Sequence, residues 1–279
     1  MARTVRDATV LLGGLVGVDD EDRATAGGKG KMSSEYTSAL VPGGLQGARI
    51  GIVRKYFGFH PGVDRVMQDV LDALRREGAV IVDPAEIPTI GTYDNEEFLV
   101  MLYELKHGLK AYLDRVGPTA QVRSLKDVIA FNQDHRDTEM PYFGQETFLK
   151  AEAKGPLTSK EYRDALAKCQ RLSRTEGIDA VMGKHRLDAL LAPTDSPAWV
   201  TDLVLGDHFI GGSNTLAAVA GYPSITVPAG YVYGLPVGVS FFGRAWSEAT
   251  LIRLAYGFEQ ATKVRRKPMF LPTADTTHP

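Results

Sequence analysis

Residues 48–82 restrict the fold of this chain more than any other stretch. Ala48 to Val53 (ARIGIV) is a short run rich in β-branched residues, and Pro61-Gly62 breaks the chain after it. Val66, Val70 and Leu74 then recur at helical spacing, Gly78 supplies the helix stop, and Ala79 to Val82 (AVIV) is a second strand-like run. Two strands joined through a helix cannot form a hairpin. The unit predicts a parallel pair with a right-handed crossover.

The rest of the chain continues the alternation. At the start, Thr4 with Asp7 three residues on reads as a helix N-cap, and Val5, Ala8, Leu12 and Leu15 fall on one helical face. A buried-type helix this close to Met1 is unlike a signal peptide or a flexible arm. Helical periodicity dominates from Glu97 to about Leu113 and returns after Thr158, where Thr-Ser-Lys-Glu spells a capping box. Leu166, Cys169 and Leu172 share a face of that helix, which makes Cys169 a core thiol rather than a nucleophile. The last third is strand-rich, at 189–192, 225–227 and 237–242. A closing helix from Ser247 sets Leu251, Leu254, Ala255 and Phe258 on one stripe.

The expected class is therefore α/β, a mixed β-sheet flanked by helices. The polar, glycine-rich stretch 19–31 and the proline-bearing tail after Lys267 read as exposed loops. No internal repeat and no clean boundary interrupts the pattern, so the expectation is one domain over residues 1–270 and a flexible tail over 271–279.

Bulk properties exclude several classes. Hydrophobic residues make up 44% and charged residues 24%, the balance of a soluble globular chain. The net charge of -2 gives no basic field for nucleic acid or an anionic membrane. No uninterrupted apolar run reaches the roughly 18 residues of a membrane span. The single cysteine, Cys169, precludes an internal disulfide and suits a reducing, cytoplasmic setting.

Several segments invite chemistry. AGGKGKMSSEY resembles a phosphate loop, but Thr25 and Met32 stand where that loop needs glycine and a hydroxyl residue. The six histidines (60, 107, 135, 185, 208 and 278) are dispersed and none fits a His-Glu-x-x-His spacing, so no metal site and no cofactor is expected. Asp207, His208 and Ser213 bring triad residue types together, yet neighbours on an extended chain point to opposite sides, which argues against Asp207 orienting His208. Ser213 or Asn214 reads instead as a helix cap, which leaves backbone N–H groups for a polar or anionic ligand group. The run Asn132-Gln133-Asp134-His135-Arg136-Asp137, followed by Pro141-Tyr142-Phe143-Gly144-Gln145, has the composition of a solvated helix end. Ala192-Pro193-Thr194-Asp195-Ser196-Pro197 closes a strand, where open α/β sheets bind ligands.

Four segments together resemble the C-terminal half of the amidase signature family: MARTVRDATVLLGGLVGVD, LQGARIGIVRKYFG, DALLAPTDSPAW and LAAVAGYPSITVPAGYVYGLPVGVSFFGRAWSEATLIRLAYGFEQAT. In the family an alanine-rich helix, Gly-x-Pro, a strand ending in Val-Pro, Gly-Leu-Pro-Val-Gly and a final helix follow in this order. FNQDHRDTEMPYFGQ is similar to the subgroup that includes peptide amidases. The resemblance implies a mixed sheet with helices on both sides, and hydrolysis of a carboxamide C–N bond without metal or cofactor. It implies a serine nucleophile, a second serine relaying protons, a lysine base and a Gly/Ser-rich oxyanion loop.

None of those catalytic residues can be matched here, because the family's copies precede the segment that aligns with Met1. Lys31 with Ser33-Ser34 has the letters without the Gly-Gly-Ser-Ser-Gly-Gly context, and Gly211-Gly212-Ser213 matches a different family segment. The expectation is an amidase portion with no catalytic residue of its own. Its start would reflect an internal start codon, a disrupted frame, a split gene or a truncation. Its expected substrate-binding residues are Asn132, Phe143, Gln145, Asp195, Ser213 and Asn214, for a small-molecule or peptide amide. The rival expectation is a non-catalytic subunit that pairs with a separate N-terminal amidase half or with a second copy.

Overall fold

The computed structural model describes residues 1–270 together with 272 and 273; the expected tail at 271–279 otherwise lies outside the described residues. Along the chain run α1 (Val5–Leu15), β1 (Arg49–Ile52), α2 (Pro61–Arg76), β2 (Val80–Val82), α3 (Asp94–Val116), α4 (Leu125–Asp134), α5 (Arg136–Glu139), α6 (Glu146–Glu152) and α7 (Lys160–Ser173). Then come α8 (Asp179–His185), β3 (Ala189–Pro193), α9 (Asn214–Ala220), β4 (Ser224–Val232), β5 (Leu235–Phe242) and α10 (Glu248–Thr262). They divide into two compact units. One holds Met1–Ile90, Ser173–Asp202 and the described residues from Gly206 onward; the other holds Gly91–Leu172 with Leu203–Leu205.

The first unit carries a five-stranded sheet in the order β2-β1-β3-β5-β4. β1 pairs in parallel with β2 and with β3, and β5 runs antiparallel to both β3 and β4. The strand–helix–strand unit read from residues 48–82 is present, and the sheet is mixed. One sheet face presents Ile50, Ile52, Leu191, Val239 and Phe241, all fully buried, to Met67, Leu71 and Leu74 of α2 and Leu254 and Phe258 of α10. Burying each of these large side chains stabilises the fold by roughly 1.5–3 kcal/mol.

Local chemistry explains where the elements begin. Pro61-Gly62 starts α2 rather than breaking the chain: Pro61 occupies the first turn, and His60 Nδ1 accepts the Gly62 N–H at 3.0 Å. Proline fits there because its missing N–H would have had no helical partner. At α1, Thr4 Oγ1 accepts the Asp7 N–H at 3.0 Å, as the cap predicts. The buried face differs from the expected one: Val5 and Thr9 are buried, Leu12 and Val16 pack partly against the core, and Leu15 is 74% exposed. Thr9 tolerates burial because its hydroxyl donates to the Val5 carbonyl at 2.8 Å.

β4 and β5 form a hairpin longer than the runs read from sequence. Val232 pairs with Leu235 across a two-residue turn, with Tyr233 and Gly234 at φ +51° and +75°. The strand read over 225–227 continues through Pro228, because β4 is an edge strand, where a missing N–H is tolerated. The register shifts between Pro228 and Gly230.

The second unit is helical. α3 is longer than the expected helix, and Leu102, Leu125 and Ala151 form a small core from α3, α4 and α6. α3 and α7 are joined by a reciprocal pair: Tyr162 Oη donates to Glu104 Oε1 at 2.8 Å, Tyr103 Oη donates to Glu161, and the two rings lie 5.4 Å apart. The capping box is displaced by one residue. Ser159, not Thr158, supplies the carbonyl that receives the Arg163 N–H, and Glu161 bonds Tyr103 instead of the cap. Cys169 is buried on α7, and burial pushes its thiol up, as expected for a core thiol.

Candidate functional site

The end of β3 organises the site in the first unit. The chain leaves the sheet after Pro193, makes a long excursion and returns at Gly211. Asp195 and Gly212 face each other as an isolated antiparallel bridge. The Ser196 N–H donates to the Gly211 carbonyl at 3.2 Å, and the Ser213 N–H donates to the Thr194 carbonyl at 3.0 Å. Residues 194–196 and 211–213 are thus the neck of a loop, brought together from fifteen or so residues apart.

Three expected residues sit at this neck. Asp195 is half-buried, and its Oδ1 accepts the Ser196 N–H at 2.7 Å. Ser213 is 2% exposed and stands at the N-cap position of α9, but its hydroxyl does not cap the helix. It donates instead to the Pro193 carbonyl at 2.7 Å, closing the neck against the strand. Asn214 is the exposed first residue of α9 and makes no side-chain cap either. The cap read from sequence is therefore positional, because the strand carbonyl competes for the hydroxyl. Ser196 Oγ is buried and meets no hydrogen-bond partner among the described residues.

Beside the neck lies a row of hydroxyls that the sequence reading missed. Thr194 Oγ1 is 2.6 Å from Thr226 Oγ1 and 2.9 Å from Ser240 Oγ. The row runs from Thr194, one residue past β3, to Ser240 on β5 and Thr226 on β4, on the sheet face opposite Val227 and Val239. The signal was present: in strands of period two, Thr226 and Ser240 alternate with core valines. Neutral hydroxyls that donate and accept suit a neutral carboxamide, which also does both.

The remaining expected residues belong to the second unit. Asn132 Nδ2 donates to Gln145 Oε1 at 3.2 Å, and Gln145 Nε2 donates to the Ile129 carbonyl at 3.1 Å. Gln145 thus ties the start of α6 to α4 and lines a cleft of about 430 Å³ with Ile129, Arg136 and Leu149. Phe143 is 54% exposed. Asp207 and His208 part company: Asp207 Oδ1 accepts the Trp199 indole N–H at 2.7 Å, while His208 Nε2 lies 3.1 Å from Asp202 Oδ2. With the Ser213 hydroxyl on Pro193, the three form no triad.

Four lysines are tied into ion pairs or carbonyl bonds. Lys168 bonds Glu96, Lys110 bonds Asp114, Lys160 bonds Asp164, and Lys106 bonds the carbonyls of Glu152 and Lys154. None of these ammonium groups meets a serine hydroxyl. Among the described residues no three His, Cys, Asp or Glu side chains converge as metal ligands, and no helix is long and apolar enough to cross a membrane.

Comparison with known proteins gives the lineage. The family model described as Amidase matches residues 1–252. A probable amidase of Arabidopsis thaliana is 38% identical over 97% of this chain and 49% of its own length. The native peptide amidase of Stenotrophomonas maltophilia superposes with a TM-score of 0.88 at 44% identity, over 97% of this chain and 54% of its own. An amidase family protein of Bacillus anthracis superposes with a TM-score of 0.80 at 30% identity, over 97% of this chain and 49% of its own. The chain spans about half the length of the relatives it matches. With its mixed sheet, its closing hairpin and helix, and its matched residues, the chain belongs to the amidase family.

Proposed function

We propose that this chain contributes the substrate-holding part of a serine-dependent amidase acting on small-molecule or peptide amides. In this reading the nucleophile, the relay serine and the lysine base are not among its 279 residues. The observation that carries it is the likeness to a peptide amidase, 44% identical over 97% of the chain. Two features support it: the hydroxyls of Thr194, Thr226 and Ser240 suit a neutral amide, and the ammonium groups of Lys106, Lys110, Lys160 and Lys168 pair with carboxylates or carbonyls.

In the complete reaction a serine Oγ, losing its proton through the relay to lysine, adds to the amide carbonyl. The amine leaves with a proton, and water then releases the acid from the acyl-enzyme. The role given to this chain is positioning, by Asp195, Ser213 and Asn214 at the neck within the first unit, and by Asn132, Phe143 and Gln145 within the second, each set taken by itself. A hydroxyl without an adjacent base is a weak nucleophile, and catalytic groups that act as a unit leave little when all are lost. The purified chain should therefore hydrolyse no peptide amide and take no label from a serine-directed fluorophosphonate. Turnover that the fluorophosphonate abolishes, with a labelled serine in this chain, refutes the assignment.

A second reading is a non-catalytic subunit that pairs with a separate N-terminal amidase half or with another copy. It is favoured by the exposed Val10, Leu11 and Leu15 on α1 and by the long edge strand β4. Co-purification of a chain bearing a Gly-Gly-Ser-Ser-Gly-Gly loop supports it; a stable, monodisperse monomer counts against it. A reducing, cytoplasmic setting fits the single buried thiol.

A further inference from the structure

We infer that the loop between Asp195 and Gly212 forms an aromatic subsite for a large apolar side chain of the amide substrate, beside the neck that holds the carboxamide; this rests on the amide reading above. Both ends of the loop are fixed at the neck, by the Asp195–Gly212 bridge and by the Ser196 N–H on the Gly211 carbonyl. Whatever the loop presents near its base therefore lies next to the candidate amide site.

What it presents there is apolar. Trp199 and Phe209 face each other across the loop with ring centroids 6.4 Å apart at 57°, and they are 40% and 57% exposed. Ile210, next to the neck, is 48% exposed. Phe59 packs on the backbone at Gly211, where a Cβ would lie 2.6 Å from its ring. These groups do not collapse into the core, because polar bonds hold the loop in shape. The Trp199 indole N–H donates to Asp207, His208 is paired with Asp202, and the Gly206 N–H donates to the Asp202 carbonyl at 3.0 Å with Gly206 at φ +90°. The indole polar edge is satisfied within the loop.

An apolar wall beside a few directional polar groups is the general form of a small-molecule site. The wall suits a benzyl or branched aliphatic group, and Asp202 and Asp207 on the same loop disfavour a carboxylate side chain.

The test uses the 279-residue chain with Trp246→Phe, which leaves Trp199 as its one tryptophan. Binding of N-acetyl-phenylalaninamide and of N-acetyl-glycinamide is followed by Trp199 emission and by NMR shift titration. The expected result is at least about tenfold tighter binding of the phenylalaninamide, with a change in Trp199 emission for that ligand alone. Phe209→Ala and Ile210→Ala, both at exposed positions, should each reduce that preference and leave glycinamide binding unchanged. Equal affinity for the two amides overturns the subsite and spares the amide reading. If neither amide binds at the neck, both the subsite and the amide reading are overturned.

Discussion

Replacing Gly238 by alanine drives a methyl group into the hydroxyl row at the candidate site. The new Cβ would lie 2.8 Å from Thr194 Oγ1, 2.8 Å from Thr226 Oγ1 and 3.2 Å from Thr194 Cβ. Unstrained contacts need roughly 3.5 Å, so the two oxygens must retreat by about 0.7 Å. They cannot do so and keep the 2.6 Å bond between them, and Thr194 also holds Ser240 at 2.9 Å. Losing those two bonds costs about 1–3 kcal/mol, and overpacking adds about 1–3 kcal/mol. Relief of glycine's entropy in a strand returns about 0.5–1 kcal/mol. The centre of these ranges is a destabilisation of about 3 kcal/mol. Urea unfolding should show it as a lower midpoint at an unchanged slope. Thr226→Ala removes one of the two obstructing oxygens, so the double variant should be more stable than the sum of the single effects by about 1 kcal/mol. A Gly238→Ala protein within about 0.5 kcal/mol of the parent, or strictly additive effects in the cycle, refutes the reasoning.

Two further outcomes follow from buried titratable groups. Burial and a hydrogen bond to Glu104 push Tyr162 up to about 12, and burial with a bond to Asp179 does the same for Tyr222. Both phenols are raised above their unfolded value of about 10, so their stabilising contribution is complete below that pH and is lost as pH rises towards 12. Absorbance titration of the folded protein should leave two fewer late-ionising tyrosines in Tyr162→Phe/Tyr222→Phe; ionisation of both near pH 10 in the folded parent contradicts this. Cys169, buried on α7 with its thiol pushed up, should resist a disulfide reagent such as DTNB in native buffer and react fully in denaturant; rapid native labelling refutes the core assignment.

Much of the fold is legible in the sequence because its signals are local. The parallel unit over 48–82 follows from two β-branched runs around a helical stripe, and α10 follows from Leu251, Leu254, Ala255 and Phe258. Cys169 is readable from its helical neighbours. Boundaries are harder. Pro61 looks like a break and the run 225–227 stops short of Pro228, yet Pro61 opens a helix and Pro228 lies within an edge strand. Leu15 looks buried because periodicity marks a face without saying what covers it, and Thr9 takes the core place with its hydroxyl satisfied within the helix.

The candidate site divides the same way. Residue order alone carries the amidase family resemblance and marks Asp195 at the end of a strand and Ser213 at the start of a helix. Only the tertiary structure decided that Ser213 bonds the Pro193 carbonyl, that Gln145 joins α6 to α4, and that Asp207 and His208 take different partners. Helical and strand periods are properties of neighbouring residues, so the sequence determines them directly. A hydrogen bond between residues twenty or forty-six positions apart, such as those of Ser213 and Thr194, exists only once the sheet has brought its strands together.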